Sequence, residues 1–177
     1  MDISREKSRL STKDLVTSAL LIALVFISTA FINIKLPIVS SGGLVHFGTV
    51  MLFIAAILFG KGKGAIAGAV GMALFDLTSG WAAWAPFTFI VRGIMGYILG
   101  KIAYSKNKEG NSILFNLIGI VISSIWMIIG YYITEVILYG NWLSPVSSIP
   151  GNLTQIVVGT IVAIPVSKVL KKYMKYI

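Results

Sequence analysis

The chain has 177 residues, of which 56% are hydrophobic and only 12% are charged, and its formal net charge is +9. Soluble domains usually carry about 25% charged residues. This composition therefore excludes a wetted globular surface and predicts an integral membrane protein. The sequence contains no cysteine, which excludes disulfides, cysteine-ligated metals and thiol catalysis within these residues.

A membrane-spanning helix needs about 20 apolar residues, and six apolar segments approach that length. We predict spans at residues 15–34, 47–60, 64–80, 87–104, 113–139 and 151–170. Together they would form one all-α membrane domain over residues 1–177, with six transmembrane helices. The polar residues before the first span, and the length of that span, do not resemble a secretory signal peptide.

Lysine and arginine are distributed unequally between alternate connections. Thirteen of the 15 basic residues fall before the first span, between spans two and three, between spans four and five, or near the end of the chain. Of the other two, Lys35 follows the first span and Arg92 lies inside the fourth. Because cytoplasmic connections are enriched in lysine and arginine, this pattern predicts that both termini are cytoplasmic. It also accounts for the net charge without a role in nucleic-acid binding.

Two opposite charges lie inside the spans, at a similar depth below the outer surface. Asp76 is near the outer end of the third span, and Arg92 is near the outer start of the fourth. Ionisable groups in a span are costly and are usually paired or face a cavity. Asp76 and Arg92 therefore indicate either a structural ion pair or a polar site.

Further polar and aromatic residues converge on the same outer layer. Small-molecule sites are mostly apolar and aromatic with a few convergent polar groups, so we predict a site for a small, flat, polar molecule. Its predicted side chains are Asp76, Arg92, Glu135, Asn152, Gln155, His46 and Trp84.

Structural explanations remain open for several of these residues. Asn152 and Gln155 could join neighbouring helices by hydrogen bonds, and His46 could be an ordinary loop histidine. Trp84 could belong, with Trp81 and Trp142, to an interfacial aromatic belt.

The sequence offers no catalytic or metal-binding motif. No Ser-His-Asp spacing, HExxH motif, P-loop or Rossmann glycine motif is present. A single histidine and scattered carboxylates lack metal-ligand spacing. We therefore expect no enzymatic activity and no metal or other cofactor in this chain. Its predicted connections are also too short to bind ATP.

Two sets of small residues could let helices approach closely. Ala19 and Ala23 are four residues apart on the first span and share a helix face. Gly64, Gly68 and Gly71 form a similar face on the third span. We expect the glycine face to pack inside the protein, whereas the alanine face could contact a partner.

The sequence resembles the substrate-binding S components of energy-coupling factor (ECF) vitamin transporters. The strongest stretches are Val45–Gly100, which includes "ALFDLTSGWAAWAPFTFIVRG", and Pro150–Pro165, "PGNLTQIVVGTIVAIP". The resemblance implies six helices, a vitamin site near the outer face and a location in the plasma membrane. It also implies partnership with a membrane scaffold subunit and two cytoplasmic ATPase subunits, which would use the ATP. The family's scaffold-contacting motif matches Ala19 and Ala23, and its ligand-closing loop matches "SSGGLVHFG".

Within that family, "FD", "WAPFTFIVRG" and "PGNLTQ" are most similar to the hydroxymethylpyrimidine and pyridoxine group, so these are the expected substrates. A riboflavin-type S component remains an alternative, because one fold serves different ligands. A stand-alone ion-coupled transporter, with Asp76 or Glu135 relaying protons, is a second alternative. A small membrane enzyme is the third, although no residue spacing favours it.

Overall fold

The computed structural model describes residues 11–35 and 44–174, without the side chains of residues 34, 35 and 44. In chain order its elements are α1 (Thr12–Phe31), β1 (Asn33–Lys35), β2 (Leu44–His46), α2 (Gly48–Thr78), α3 (Ala85–Ala103), α4 (Ile113–Tyr139) and α5 (Ile149–Met174). Short 3-10 turns at Ser105–Asn107 and Ser144–Ser148 precede α4 and α5. In this described part of the chain, five helices are long and apolar enough to cross a membrane.

The helix α2 folds back on itself at Gly60, where φ is +80° and ψ is −172°. A Cβ atom on Gly64 would lie 2.6 Å from that of Ala56, and one on Gly68 would clash with Leu52. Each of these pairs is equally spaced about Gly60, so residues 48–59 and 61–78 pack as two antiparallel arms. We predicted two spans joined by a connection at residues 61–63; these residues are helical, and the chain reverses at Gly60 instead.

The first helix ends earlier than predicted. It stops at Phe31 rather than residue 34, and Nδ2 of Asn33 donates to the carbonyls of Thr29 at 3.0 Å and Ala30 at 2.7 Å. These bonds satisfy acceptors that a helix leaves free at its C-terminus. Asn33 then enters β1 and pairs with His46 in an antiparallel hairpin, which the hydropathy pattern did not predict.

The predicted glycine face packs inside the protein, as expected. A side chain on Gly71 would meet Val25 of α1 at 2.8 Å. One on Gly68 would meet the carbonyl oxygen of Arg92 on α3 at 3.0 Å. Glycine at these positions, and at Gly64, therefore allows the second arm of α2 to lie directly against three neighbouring segments.

The remaining helices agree closely with the predicted spans. The bounds of α4 coincide with the predicted residues 113–139, and α3 and α5 overlap the predictions at 87–104 and 151–170. The start of α3, the end of α4 and the start of α5 lie at one end of the bundle, together with the end of α2. These four helix ends surround the cavity described next.

Candidate substrate-binding site

An open cavity lies at this end of the bundle, and all seven predicted site residues line it. The space between its atoms is about 660 Å³, including the solvent in its open mouth. The predicted lining residues are Asp76, Arg92, Glu135, Asn152, Gln155, His46 and Trp84. The fold therefore gathers around one cavity residues that lie as far apart in the sequence as His46 and Gln155. Their contact with a ligand remains a prediction.

Arg92 is the polar centre of the cavity and is only 2% exposed. Its Nε donates to Oη of Tyr131 at 3.0 Å, and Nη1 donates to Oγ1 of Thr49 at 3.0 Å. Nη2 donates to Oε1 of Gln155 at 3.2 Å. The guanidinium also lies over the Tyr131 ring, 5.0 Å from its centroid. A planar group with five donors can make such a set of contacts at once, which fixes its position.

Asp76 and Arg92 do not form the ion pair that the sequence left open. With a limit of 4.0 Å between nitrogen and oxygen, the described residues contain one ion pair, and it joins Lys63 to Asp14 at 2.7 Å. Asp76 is connected to Arg92 indirectly, because Tyr131 donates to Oγ1 of Thr88 at 3.4 Å and the Thr88 hydroxyl lies beside the Asp76 carboxylate. The Asp76 carboxylate is therefore not held by a direct contact with the guanidinium.

Two buried polar atoms in the cavity wall lack a hydrogen-bond partner in the described part of the chain: Oδ2 of Asp76 and Nδ1 of His46. Leaving a buried polar atom unsatisfied costs about 1–3 kcal/mol. Burial, together with the nearby charge of Arg92, lowers the pKa of His46 well below its ordinary value. A neutral His46 can offer either a donor or an acceptor at Nδ1. Both residues line the cavity, so a molecule bound there would lie beside these two side chains.

Glu135 and Gln155 are already engaged by neighbouring side chains. Ser148 donates from Oγ to Oε2 of Glu135 at 2.7 Å, and Glu135 is 3% exposed. Gln155 accepts from Arg92 and donates from Nε2 to the carbonyl of His46 at 3.4 Å. Gln155 therefore joins neighbouring elements, which was the structural alternative left open for it.

Aromatic side chains line one side of the cavity. Trp84 packs against Trp81, Tyr131 and Tyr139, with ring centroids 6.1–6.2 Å apart. Trp81 and Trp84 both line the cavity, whereas Trp142 is 69% exposed. Of the three tryptophans for which an aromatic belt was left open, two therefore line the cavity and one is exposed.

Several lining residues were missed by sequence analysis: Thr29, Met72, Phe75, Thr88, Ser148 and Gly151. Thr88 could have been found, because it lies one helical turn before Arg92 and shares its face. Ser148 could not, since it belongs to a 3-10 turn that hydropathy does not indicate. The predicted closing loop, "SSGGLVHFG", lies partly outside the described residues.

The predicted docking residues, Ala19 and Ala23, are both exposed on α1. Around them, Leu15, Leu20 and Leu24 are also exposed, at 55%, 60% and 45%. The described part of α1 buries few residues against the rest of the protein. Its alanine face is therefore open to lipid or to a partner.

Comparison with known proteins identifies the family. The sequence matches the family described as "ECF-type riboflavin transporter, S component" over residues 9–172. The chain belongs to this family. A solved structure of the S component of a bacterial ECF transporter superposes with a TM-score of 0.69 and 25% identity, covering 92% of this chain and 98% of the other.

Two relatives of this S component are similar over most of their length. An uncharacterized protein in the gap 3' region of Pyrococcus woesei is 34% identical over 139 residues, which are 78% of this chain and 90% of the relative. The thiamine precursor transporter HmpT of Lactococcus lactis subsp. cremoris is 28% identical over 160 residues, covering 90% of this chain and 89% of HmpT.

Family membership and the apolar helices confirm the general expectations. The protein is a multi-pass plasma-membrane ECF S component for transport of a vitamin or vitamin precursor. It is a transporter subunit and not an enzyme.

Proposed function

We propose that this S component captures a small, flat heteroaromatic vitamin or precursor of the hydroxymethylpyrimidine or pyridoxine class. The observation that carries the proposal is that two buried atoms in the wall of an aromatic cavity, Oδ2 of Asp76 and Nδ1 of His46, have no hydrogen-bond partner within residues 11–35 and 44–174. Amino and hydroxyl groups at the edge of a heteroaromatic ring can satisfy both atoms, while the ring faces Phe75, Trp81 and Trp84.

The similarity to HmpT supports a thiamine precursor, whereas the family description supports riboflavin. The two substrates differ greatly in size, so a riboflavin site would have to accommodate a three-ring system and its ribityl chain. A single ring requires only one aromatic wall and a few edge contacts, and the cavity has both features. We therefore favour the smaller substrate and retain riboflavin as the alternative.

We further propose that the chain crosses the membrane six times, with both termini in the cytoplasm. The fold-back of α2 at Gly60 supports two crossings by this helix. The basic connections support the orientation, since lysine and arginine collect on the cytoplasmic side. In this arrangement the cavity faces outward, where it can collect substrate.

For transport, we propose that the chain works with a membrane scaffold subunit and two cytoplasmic ATPase subunits. No cofactor would be held by this chain, and ATP would be used by the partners. The exposed Ala19 and Ala23 face of α1 supports a close helix–helix contact with the scaffold. A stand-alone ion-coupled transporter would instead take up substrate without the ATPases, and dependence of uptake on them separates the two mechanisms.

A fluorescence screen on the purified protein tests the substrate proposal. The chain has four tryptophans, of which Trp81 and Trp84 line the cavity and Trp142 is exposed. We expect hydroxymethylpyrimidine or pyridoxine to quench this fluorescence at lower concentration than thiamine, riboflavin or folate. Trp84→Phe should reduce the quenching and Trp142→Phe should not. Tightest binding of riboflavin, or quenching lost equally in both variants, would overturn the proposal.

A further inference from the structure

A second cavity lies at the opposite end of the bundle, between the start of α4 and the end of α5. Asn116 in this cavity and Glu135 in the substrate cavity are 19 residues apart on α4, or roughly 28 Å at 1.5 Å per residue. The lining residues of the second cavity are Gly110, Asn111, Ile113, Asn116, Ile164, Lys168, Lys171 and Lys172.

The second cavity is strongly favourable for an anion. Three lysines line it, and Lys171 is oriented by a hydrogen bond from Nζ to Oη of Tyr104 at 3.2 Å. One carboxylate, that of Glu109, lies near Lys171, so the positive charges remain in excess. The α4 helix begins at Ile113 of the cavity wall, and its N-cap residue makes no side-chain capping bond. Free amide groups at a helix N-terminus attract phosphate groups.

A buried amide adds a second requirement for the ligand. Asn116 is 5% exposed, and its Nδ2 donates to the carbonyl of Gly110 at 2.8 Å. This bond fixes the amide orientation and leaves Oδ1, which is buried and has no partner among the described residues. Because Oδ1 can only accept, a complementary ligand carries a hydroxyl or another donor besides its phosphate.

Apolar side chains lie in and beside the polar part of this cavity. Ile113 and Ile164 line the cavity itself. On the adjoining helix surfaces Leu117 is 38% exposed and Ile161 is 67% exposed. Acyl chains could cover these side chains while a headgroup occupies the polar part. Basic pockets between transmembrane helices on the cytoplasmic side commonly bind acidic lipid headgroups.

We propose that this second cavity is a binding site for an anionic phospholipid whose phosphate is followed by a hydroxylated headgroup, such as phosphatidylglycerol. The lysines and the start of α4 hold the phosphate, and Oδ1 of Asn116 accepts from a headgroup hydroxyl. This site is separate from the substrate cavity and does not depend on the identity of the substrate.

Native mass spectrometry of the full chain from mixed micelles tests the charge requirement. The wild type should retain phosphatidylglycerol in preference to phosphatidylcholine, and millimolar inorganic phosphate should not displace it. Lys168→Gln with Lys172→Gln should lower retention by about thirtyfold, because two nearby lysines contribute about 1 kcal/mol each and every 1.4 kcal/mol is a factor of about ten. Lys101→Gln with Lys106→Gln removes the same charge outside the cavity and should retain the lipid. Equal loss in both variants, equal retention of phosphatidylcholine, or displacement by phosphate would overturn the proposal.

A comparison of two anionic lipids tests the role of Asn116. Phosphatidylmethanol has the same charge as phosphatidylglycerol but no headgroup hydroxyl. The wild type should prefer phosphatidylglycerol, and Asn116→Leu should remove this preference while still retaining both anionic lipids. A general disturbance of folding would instead lower retention of both lipids in proportion. A preference unchanged by Asn116→Leu, or a proportional loss of both lipids, would overturn the assignment of Oδ1.

Discussion

Arg92 of α3 donates from Nη2 to Oε1 of Gln155 on α5 at 3.2 Å, and the same glutamine donates from Nε2 to the carbonyl of His46 at 3.4 Å. These two bonds join α3, α5 and the β-hairpin across the cavity. The other nitrogens of Arg92 bind Tyr131 of α4 and Thr49 of α2. One buried guanidinium thus positions four helices and the hairpin around the site.

Arg92→Lys should weaken both the fold and the site, although it preserves the charge. A lysine ammonium lacks the planar fork of arginine, so it cannot reach Tyr131, Thr49 and Gln155 together. Each buried acceptor left unpaired costs about 1–3 kcal/mol. We expect a lower thermal unfolding midpoint in detergent and weaker ligand binding. Lys101→Arg, the reverse exchange at an exposed position, serves as control, and an unchanged midpoint in Arg92→Lys would contradict this account of the guanidinium.

Gly60→Ala should destabilise the fold-back of α2. The φ of +80° and ψ of −172° at Gly60 fall in a region that is open essentially to glycine alone, and strain of this kind costs about 1–3 kcal/mol. The matched control is Gly62→Ala, because Gly62 is helical and a Cβ atom added to it would meet no other atom within 4 Å. Thermal unfolding should show a lower midpoint for Gly60→Ala and an equal or higher one for Gly62→Ala. Equal midpoints would argue against a strained reversal.

Hydropathy predicted the helices well because long apolar segments are a strong local signal. It predicted the bounds of α4 at 113–139, yet it missed the β1–β2 hairpin, whose strands have three residues each. The α2 reversal was predicted only approximately, between residues 60 and 64, because both KGK and the preceding glycine look like a connection. Only the backbone geometry shows that Gly60 alone makes the turn.

The sequence allowed us to predict which polar residues lie together near the outer surface, but not which of them contact each other. Charged and amide side chains are rare inside membrane spans, so they stand out in the sequence. All seven predicted site residues line one cavity. Their pairing depends on helix rotation, which sequence spacing does not fix across different helices. The sequence therefore left open whether Asp76 pairs directly with Arg92, and the structure shows Tyr131 and Thr88 in the path between them.

Cysteine labelling tests the six-span orientation, and the chain is suited to it because it has no native cysteine. Lys108→Cys places a thiol in the connection before α4, and Leu143→Cys places one after α4, where Leu143 is 80% exposed. A membrane-impermeant maleimide should label Leu143→Cys in intact cells and Lys108→Cys only after permeabilisation. The opposite pattern would mean that the cavity faces the cytoplasm.

Ala19→Trp combined with Ala23→Trp should abolish uptake by the assembled transporter while leaving ligand binding intact. Two indoles on this exposed face would prevent a close approach of another helix. Neither alanine lines the cavity, and Ala23 lies six residues, or roughly 9 Å along α1, before the lining residue Thr29. Val121→Trp with Ile125→Trp is a suitable control, because both residues are exposed on α4, at 58% and 54%. Normal uptake by the alanine variant would exclude this face as the docking surface.

The most direct test of the account is a calorimetric titration of hydroxymethylpyrimidine into the wild type and Asp76→Asn, with Asp14→Asn as control. Asp14 is a second carboxylate inside a helix, but it pairs with Lys63 away from the cavity. If Oδ2 of Asp76 accepts from the substrate, Asp76→Asn should weaken binding by about tenfold or more, or about 1.4 kcal/mol, and Asp14→Asn should bind normally. Absence of binding by the wild type, or equal affinity in Asp76→Asn, would contradict the account.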